Sequence, residues 1–156
     1  MSNANAVTGY RWVGPFRLRD YLERSIDPDL EWPPEGAGVY VISHDLWTGE
    51  PSSACRVLYV GGNPHRPKLL RNRIGFLVKD MLGFWGDEAG SHSGGQSIWN
   101  WCFDNRVHPF DLYLGWVVGI ECGRCIETDL YTRLQPLLSR KVPARCPGHL
   151  EVGAEE

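Results

Sequence analysis

Two short apolar runs decide how this chain folds: Gly38-Val39-Tyr40-Val41-Ile42 and, after a polar interval, Val57-Leu58-Tyr59-Val60-Gly61-Gly62. Both are rich in β-branched and aromatic side chains and bounded by glycine, the composition of a strand that stops abruptly. The interval from Ser43 to Ser53 is polar and contains Gly49 and Pro51, so it reads as a loop. Strands this close in sequence favour an antiparallel hairpin.

Outward from the hairpin the periodicity changes. Pro67 can open a helix, and Leu69, Leu70, Ile74, Leu77, Val78, Met81 and Leu82 then recur at helical spacing until Gly83 and Gly86. Residues 87–95 are rich in glycine and serine and predict a loop. Gln96 to Asn105, with Ile98, Trp99, Trp101, Cys102 and Phe103, predicts a short helix whose tryptophans are read as core ahead of a base-stacking platform for a single strand. Asp111 to Ile120 predicts a third strand, and Cys125 to Leu138 a last helix with Ile126, Leu130, Leu134 and Leu138 inward and Arg133 outward. Upstream, Phe16, Leu18, Tyr21 and Leu22 suit a short amphipathic helix, before Asp27-Pro28 and Trp32-Pro33-Pro34 interrupt regular structure. The expected fold is α+β, a small three-stranded antiparallel or mixed sheet flanked by helices in the order β-β-α-α-β-α. The expected organisation is an extension over 1–36, a domain over 37–141 and a tail over 142–156.

Composition agrees with one folded domain. Of 156 residues 42% are hydrophobic, and seven Trp, six Tyr and five Phe supply the area for a core. No apolar run approaches the ~18 residues of a membrane span, and Met1 to Thr8 lacks the basic and apolar blocks of a secretory signal. A cytoplasmic location without a membrane partner is expected. The net charge of −3 excludes a generic basic coat protein, but its distribution is uneven. Arg66, Lys68, Arg71 and Arg73 form one island free of acids, and Arg133, Arg140, Lys141 and Arg145 another. Such islands can meet as a polyanion site or lie apart as two solvated helix faces. Five cysteines, an odd number, do not suggest a disulfide framework.

Gly38-Val39-Tyr40 and Tyr59-Val60-Gly61 resemble the two signature motifs of the GIY-YIG nucleases, which include repair incision domains, homing endonucleases and restriction enzymes. Leu70-Arg71-Asn72-Arg73-Ile74 resembles the family's following helix, and Glu127, nine residues before Pro136, falls in the register of its catalytic glutamate. The likeness runs from about Gly36 to Lys141. It implies Tyr40, Tyr59, Arg73 and Glu127 as catalytic residues, with Arg71 the alternative arginine. There are three departures: a longer loop between the two tyrosines, Ser139 where the family has Asn, and Leu77 where a Tyr or His often stands. His92 could supply that polar group from a loop, and with Arg71 and Ser139 it is a candidate substrate-binding residue.

These residue types fit phosphodiester hydrolysis. Arginine grips a phosphate through two parallel hydrogen bonds. One carboxylate, here Glu127, suffices to anchor Mg²⁺ or Mn²⁺ that keeps water and phosphate as its other ligands. Tyrosine is a poor base at its free pKa of about 10 and needs a nearby cation to serve as one. The resemblance implies that role for Tyr40, with Tyr59 orienting phosphate or water. The expected function is a metal-dependent endonuclease, with DNA ahead of RNA as partner. The alternative is a module of the same fold that holds nucleic acid or a protein without cutting. Separately, Cys122-Gly-Arg-Cys125 and Cys146-Pro-Gly-His149 have the spacing of a zinc site that would staple the tail to the last helix, a third and lesser reading.

Overall fold

The computed structural model describes residues 10–36, 38–62, 70–84, 93–118 and 123–138. Four strands form one antiparallel sheet: β1 (Arg11–Arg17), β2 (Val39–Ser43), β3 (Val57–Gly62) and β4 (Tyr113–Val118), in the spatial order β1-β4-β2-β3. The hairpin of β2 and β3 is as the sequence predicts, and the fold is α+β. Among the described residues the sheet has four strands rather than three, and none is parallel. The added strand comes from the N-terminal extension, where Phe16 belongs to β1 and only α1 (Leu18–Glu23) is helical. β1 breaks register between Val13 and Phe16, where Gly14 (φ +104°) and Pro15 sit. Proline lacks the N–H that a ladder needs, so it fits an edge strand at such an irregularity. A side chain at Gly14 would stand 2.8 Å from the Leu114 carbonyl oxygen.

Both faces of the sheet are covered, which is why β2 is hydrophobic up to its last residue, Ser43, and every one of its residues is buried. Tyr40 and Ile42 point to the face packed by α2 (Leu70–Met81) and α3 (Ser93–Asn105), where Leu70, Ile74, Leu77, Met81, Ile98 and Cys102 complete the core. Val39 and Val41 point to the other face and meet Val60, Ile126, Leu130 and Leu134, the last three from α4 (Gly123–Leu134). Leaving water stabilises each such aliphatic side chain by about 1.5–3 kcal/mol. Trp47, from the loop between β2 and β3, covers the rest of that face against Trp12 and the bare backbone of Gly115.

Two helix boundaries differ from expectation. α3 begins at Ser93, inside the segment whose composition suggests a loop. Gly95 lies against the Leu77 carbonyl and Asp80 of α2, where a Cβ would come within 2.8 Å, so close helix packing explains the glycine. α4 ends at Leu134, not Leu138: Gln135 is left-handed (φ 49°) and its N–H donates to the Tyr131 carbonyl oxygen at 3.1 Å. Pro136 follows, and a residue before proline avoids helical geometry. The chain then lies beside the sheet, where the N–H groups of Leu137 and Leu138 donate to the carbonyl oxygens of Val57 and Leu58 at 2.9 Å each.

Candidate active site

The register of the hairpin sets the site. Tyr40 lies opposite Gly61 and Ile42 opposite Tyr59, so the two tyrosines are diagonal neighbours on one face, with ring centroids 6.1 Å apart. Gly61 supplies the space between them. A Cβ there would meet the Tyr40 Oη at 2.5 Å and Tyr59 Cε2 at 2.7 Å. Tyr59 is wedged from its other side by the N-terminus of α3, where any Cβ at Gly94 would overlap its ring. The glycine of the second motif is thus the floor on which the first-motif tyrosine rests.

Gly62 points to the opposite face. A Cβ there would come within 2.7 Å of the Gly38 carbonyl oxygen and 3.4 Å of Glu127 Oε1. α4 packs on the face away from α2, yet Glu127 reaches the end of the edge strand β3 where side chains are missing. There it acts electrostatically on Tyr40, and Arg73, from α2 on the other face, acts on both Tyr40 and Glu127. Tyr40, Tyr59 and Glu127 thus lie about the diglycine end of the hairpin, and Arg73 is near enough to Tyr40 and Glu127 to act on both electrostatically.

The electrostatics follow from burial. Tyr40 has no exposed surface, and burial raises its pKa well above 10. Tyr59, Glu127 and Tyr131 push it further, and Arg73 opposes them. The phenol is therefore held neutral, which works against the role of base that the family resemblance implies for it. Burial also lifts the Glu127 carboxyl to about 7, against the pull of Arg73 and Arg124. A half-buried carboxyl that ionises near neutrality despite two cations suits a site that gains a further positive charge when occupied. Among the described residues no three His, Cys, Asp or Glu side chains gather to hold a metal. A single carboxylate such as Glu127 is a donor that a largely hydrated divalent cation could use.

Arg71 is placed elsewhere. Its Nε donates to the Pro33 carbonyl oxygen at 3.0 Å, its Nη1 pairs with Glu35 at 3.3 Å, and its guanidinium lies 5.9 Å from the centre of the Trp32 ring. It clamps α2 to the N-terminal segment, whereas Arg73 acts electrostatically on Tyr40 and Glu127. His92 and Ser139 lie outside the described residues, as do Cys122, Cys146 and His149 of the suggested zinc site; Cys125 is buried. Tyr131, one helical turn beyond Glu127 and nearly buried, is a site neighbour that the sequence reading missed. The i to i+4 spacing from Glu127 is the one signal that could have found it. Of the two tryptophans expected in the core, Trp101 packs against it, whereas Trp99 stacks on the exposed ring of Phe103.

No family model, no curated protein and no solved structure matches the chain. Among the described residues no helix is long and apolar enough to cross a membrane.

Proposed function

We propose that the protein is a metal-dependent endonuclease that hydrolyses phosphodiester bonds, with DNA as substrate. The observation that carries this reading is the Tyr40–Tyr59 pair beside Gly61, with Glu127 at Gly62 and Arg73 within electrostatic reach of both Tyr40 and Glu127. Arg73 binds the scissile phosphate and neutralises the charge that builds on it. Tyr59, partly exposed, orients water or a phosphate oxygen. Tyr40 has no surface to offer a substrate, so it acts from behind as a positioning residue for the groups in front of it. Glu127 holds Mg²⁺ or Mn²⁺, which when bound supplies charge stabilisation at the leaving oxygen.

The test is nicking of supercoiled plasmid by the full chain with Mg²⁺ or Mn²⁺, beside Glu127→Ala and Arg73→Ala. Cleavage that needs the cation and is lost in both variants is the expected result. Robust cleavage that survives both substitutions rejects the site. A second reading rests on the complete burial of Tyr40, which suits a module of this fold that holds nucleic acid without cutting it. Tight, salt-sensitive DNA binding with no strand scission would favour that alternative.

A further inference from the structure

At the far end of α3 from Tyr59, Trp99 and Phe103 stack with ring centroids 5.2 Å apart and planes 23° from parallel. Phe103 is 70% exposed, so the outer face of this stack is open. Both rings line a groove of about 340 Å³ with Arg106 and His108. Arg106 is the left-handed residue (φ 58°) just after the helix, and its exposed guanidinium makes no ion pair or hydrogen bond among the described residues. His108 Nδ1 accepts a hydrogen bond from the Phe110 N–H at 3.0 Å. That bond fixes the neutral imidazole as the Nε2–H tautomer and leaves a donor available. No carboxylate lines the groove.

An open aromatic face, a free planar cation and a fixed N–H donor are the complement of an unstacked nucleobase and its backbone. The helix C-terminus is a poor place for an isolated anion, which favours a stacked base over a bare phosphate as the main contact. We infer that this groove holds a nucleotide of a single-stranded segment, with the base on Phe103 and its polar edge or phosphate met by Arg106 and His108. Gly94, against Tyr59, and Phe103 are nine residues apart on α3, about 14 Å along the axis at 1.5 Å per residue. At that separation the groove contacts a flanking segment and not the nucleotide being cut. That the occupant is a nucleic-acid strand rests on the nuclease reading; the aromatic and cationic chemistry does not.

The test is fluorescence anisotropy of a labelled single-stranded DNA oligonucleotide and of its duplex. Full-length Glu127→Gln protein is used so that nothing is cleaved, with Phe103→Ala and Arg106→Ala added singly and circular dichroism to confirm folding. Each substitution is expected to weaken single-strand binding about tenfold, the scale of one lost stacking contact, and to leave duplex binding unchanged. Single-strand affinity unmoved by both substitutions overturns the inference even if the protein cuts DNA. Equal weakening with duplex also overturns it, since the contact would then be generic charge. A free deoxynucleoside monophosphate that competes fully at the groove, with no gain from strand length, overturns the strand assignment. Phe103-dependent single-strand binding in a protein that never cleaves leaves the groove standing and removes only the nuclease reading.

Discussion

The two ends of the β2–β3 hairpin are built on opposite principles. At the loop end, large polar side chains satisfy one another. Arg56, left-handed at φ 48°, pairs with Asp45 at 3.2 Å, and His44 Nδ1 lies 2.7 Å from the same carboxylate, with its ring edge-on to Trp101. At the other end Gly38, Gly61 and Gly62 present bare backbone: Leu70 packs on Gly38, Tyr40 and Tyr59 on Gly61, and Glu127 approaches Gly62, with Arg73 acting electrostatically on Tyr40 and Glu127. The loop end closes the turn; the glycine end brings together polar groups that the cost of desolvation would otherwise keep apart. The candidate chemistry lies where side chains were removed, because only there can two faces of a sheet reach one point.

Substitutions at the two ends should therefore differ in kind. The largest effect is expected at Arg73 and Glu127: Arg73→Ala or Glu127→Gln should lower plasmid nicking by about 10²–10³-fold, the scale of losing one transition-state electrostatic contact. Arg71→Ala should instead leave nicking near wild type and cost about 1 kcal/mol in urea unfolding, since that arginine serves the N-terminal clamp. Equal losses of activity at Arg71 and Arg73 would erase the distinction between them.

Next comes Gly61→Ala. The new methyl would overlap the hydroxyl of a tyrosine that has nowhere to move, so a loss of about 1–3 kcal/mol is expected, with a lower melting temperature and weaker nicking. The same change with no effect on either would mean that the rings are not packed on that glycine.

The pH response of Glu127 has a definite sign. Its folded pKa of about 7 lies above the ordinary value of about 4.3, so the folded state binds the proton more tightly than the unfolded chain. In metal-free buffer its contribution is full below the unfolded pKa and is lost as pH rises toward 7. That loss amounts to up to about 3 kcal/mol. Urea melts of wild type and Glu127→Gln between pH 4.5 and 8 should converge at the acid end and separate toward neutrality, with the variant the more stable. Parallel profiles would rule out the buried carboxyl.

The smallest effect belongs to the loop end. The Arg56 and His44 contacts hold the Asp45 carboxyl below its usual range, so that stability is present above about pH 4 and lost as pH falls. The group is well exposed, and Asp45→Asn should cost under about 1 kcal/mol in the same assay at pH 7. A larger cost would make the two ends more alike than their structures suggest.

The hairpin and α2 were legible because each carries a strong local signal, apolar runs bounded by glycine in the one and helical spacing in the other, while the four candidate site residues were singled out by motif order. β1 was not, because Gly14-Pro15 inside Arg11-Trp-Val-Gly-Pro-Phe-Arg17 reads as a turn, and only pairing with β4 makes it a strand. The start of α3 was misread for a related reason. Gly94 and Gly95 look like breakers, but they are spacers that admit Tyr59 and the backbone of α2. Tyr131 was invisible because its importance lies in which helix face meets Gly62, a tertiary fact. Arg71 and Arg73, two residues apart, could not be separated by sequence, since what divides them is a carbonyl and an indole some forty residues upstream.

The two bonds from Leu137 and Leu138 to Val57 and Leu58 fasten the chain just past α4 onto the strand that carries Tyr59. Carboxylate and tyrosine thereby share one ruler: if α4 slid along the sheet, this clasp would have to unfasten first. A chain cut after Leu134 would keep every residue of the converging group and lose the anchorage that keeps Glu127 in step with the hairpin.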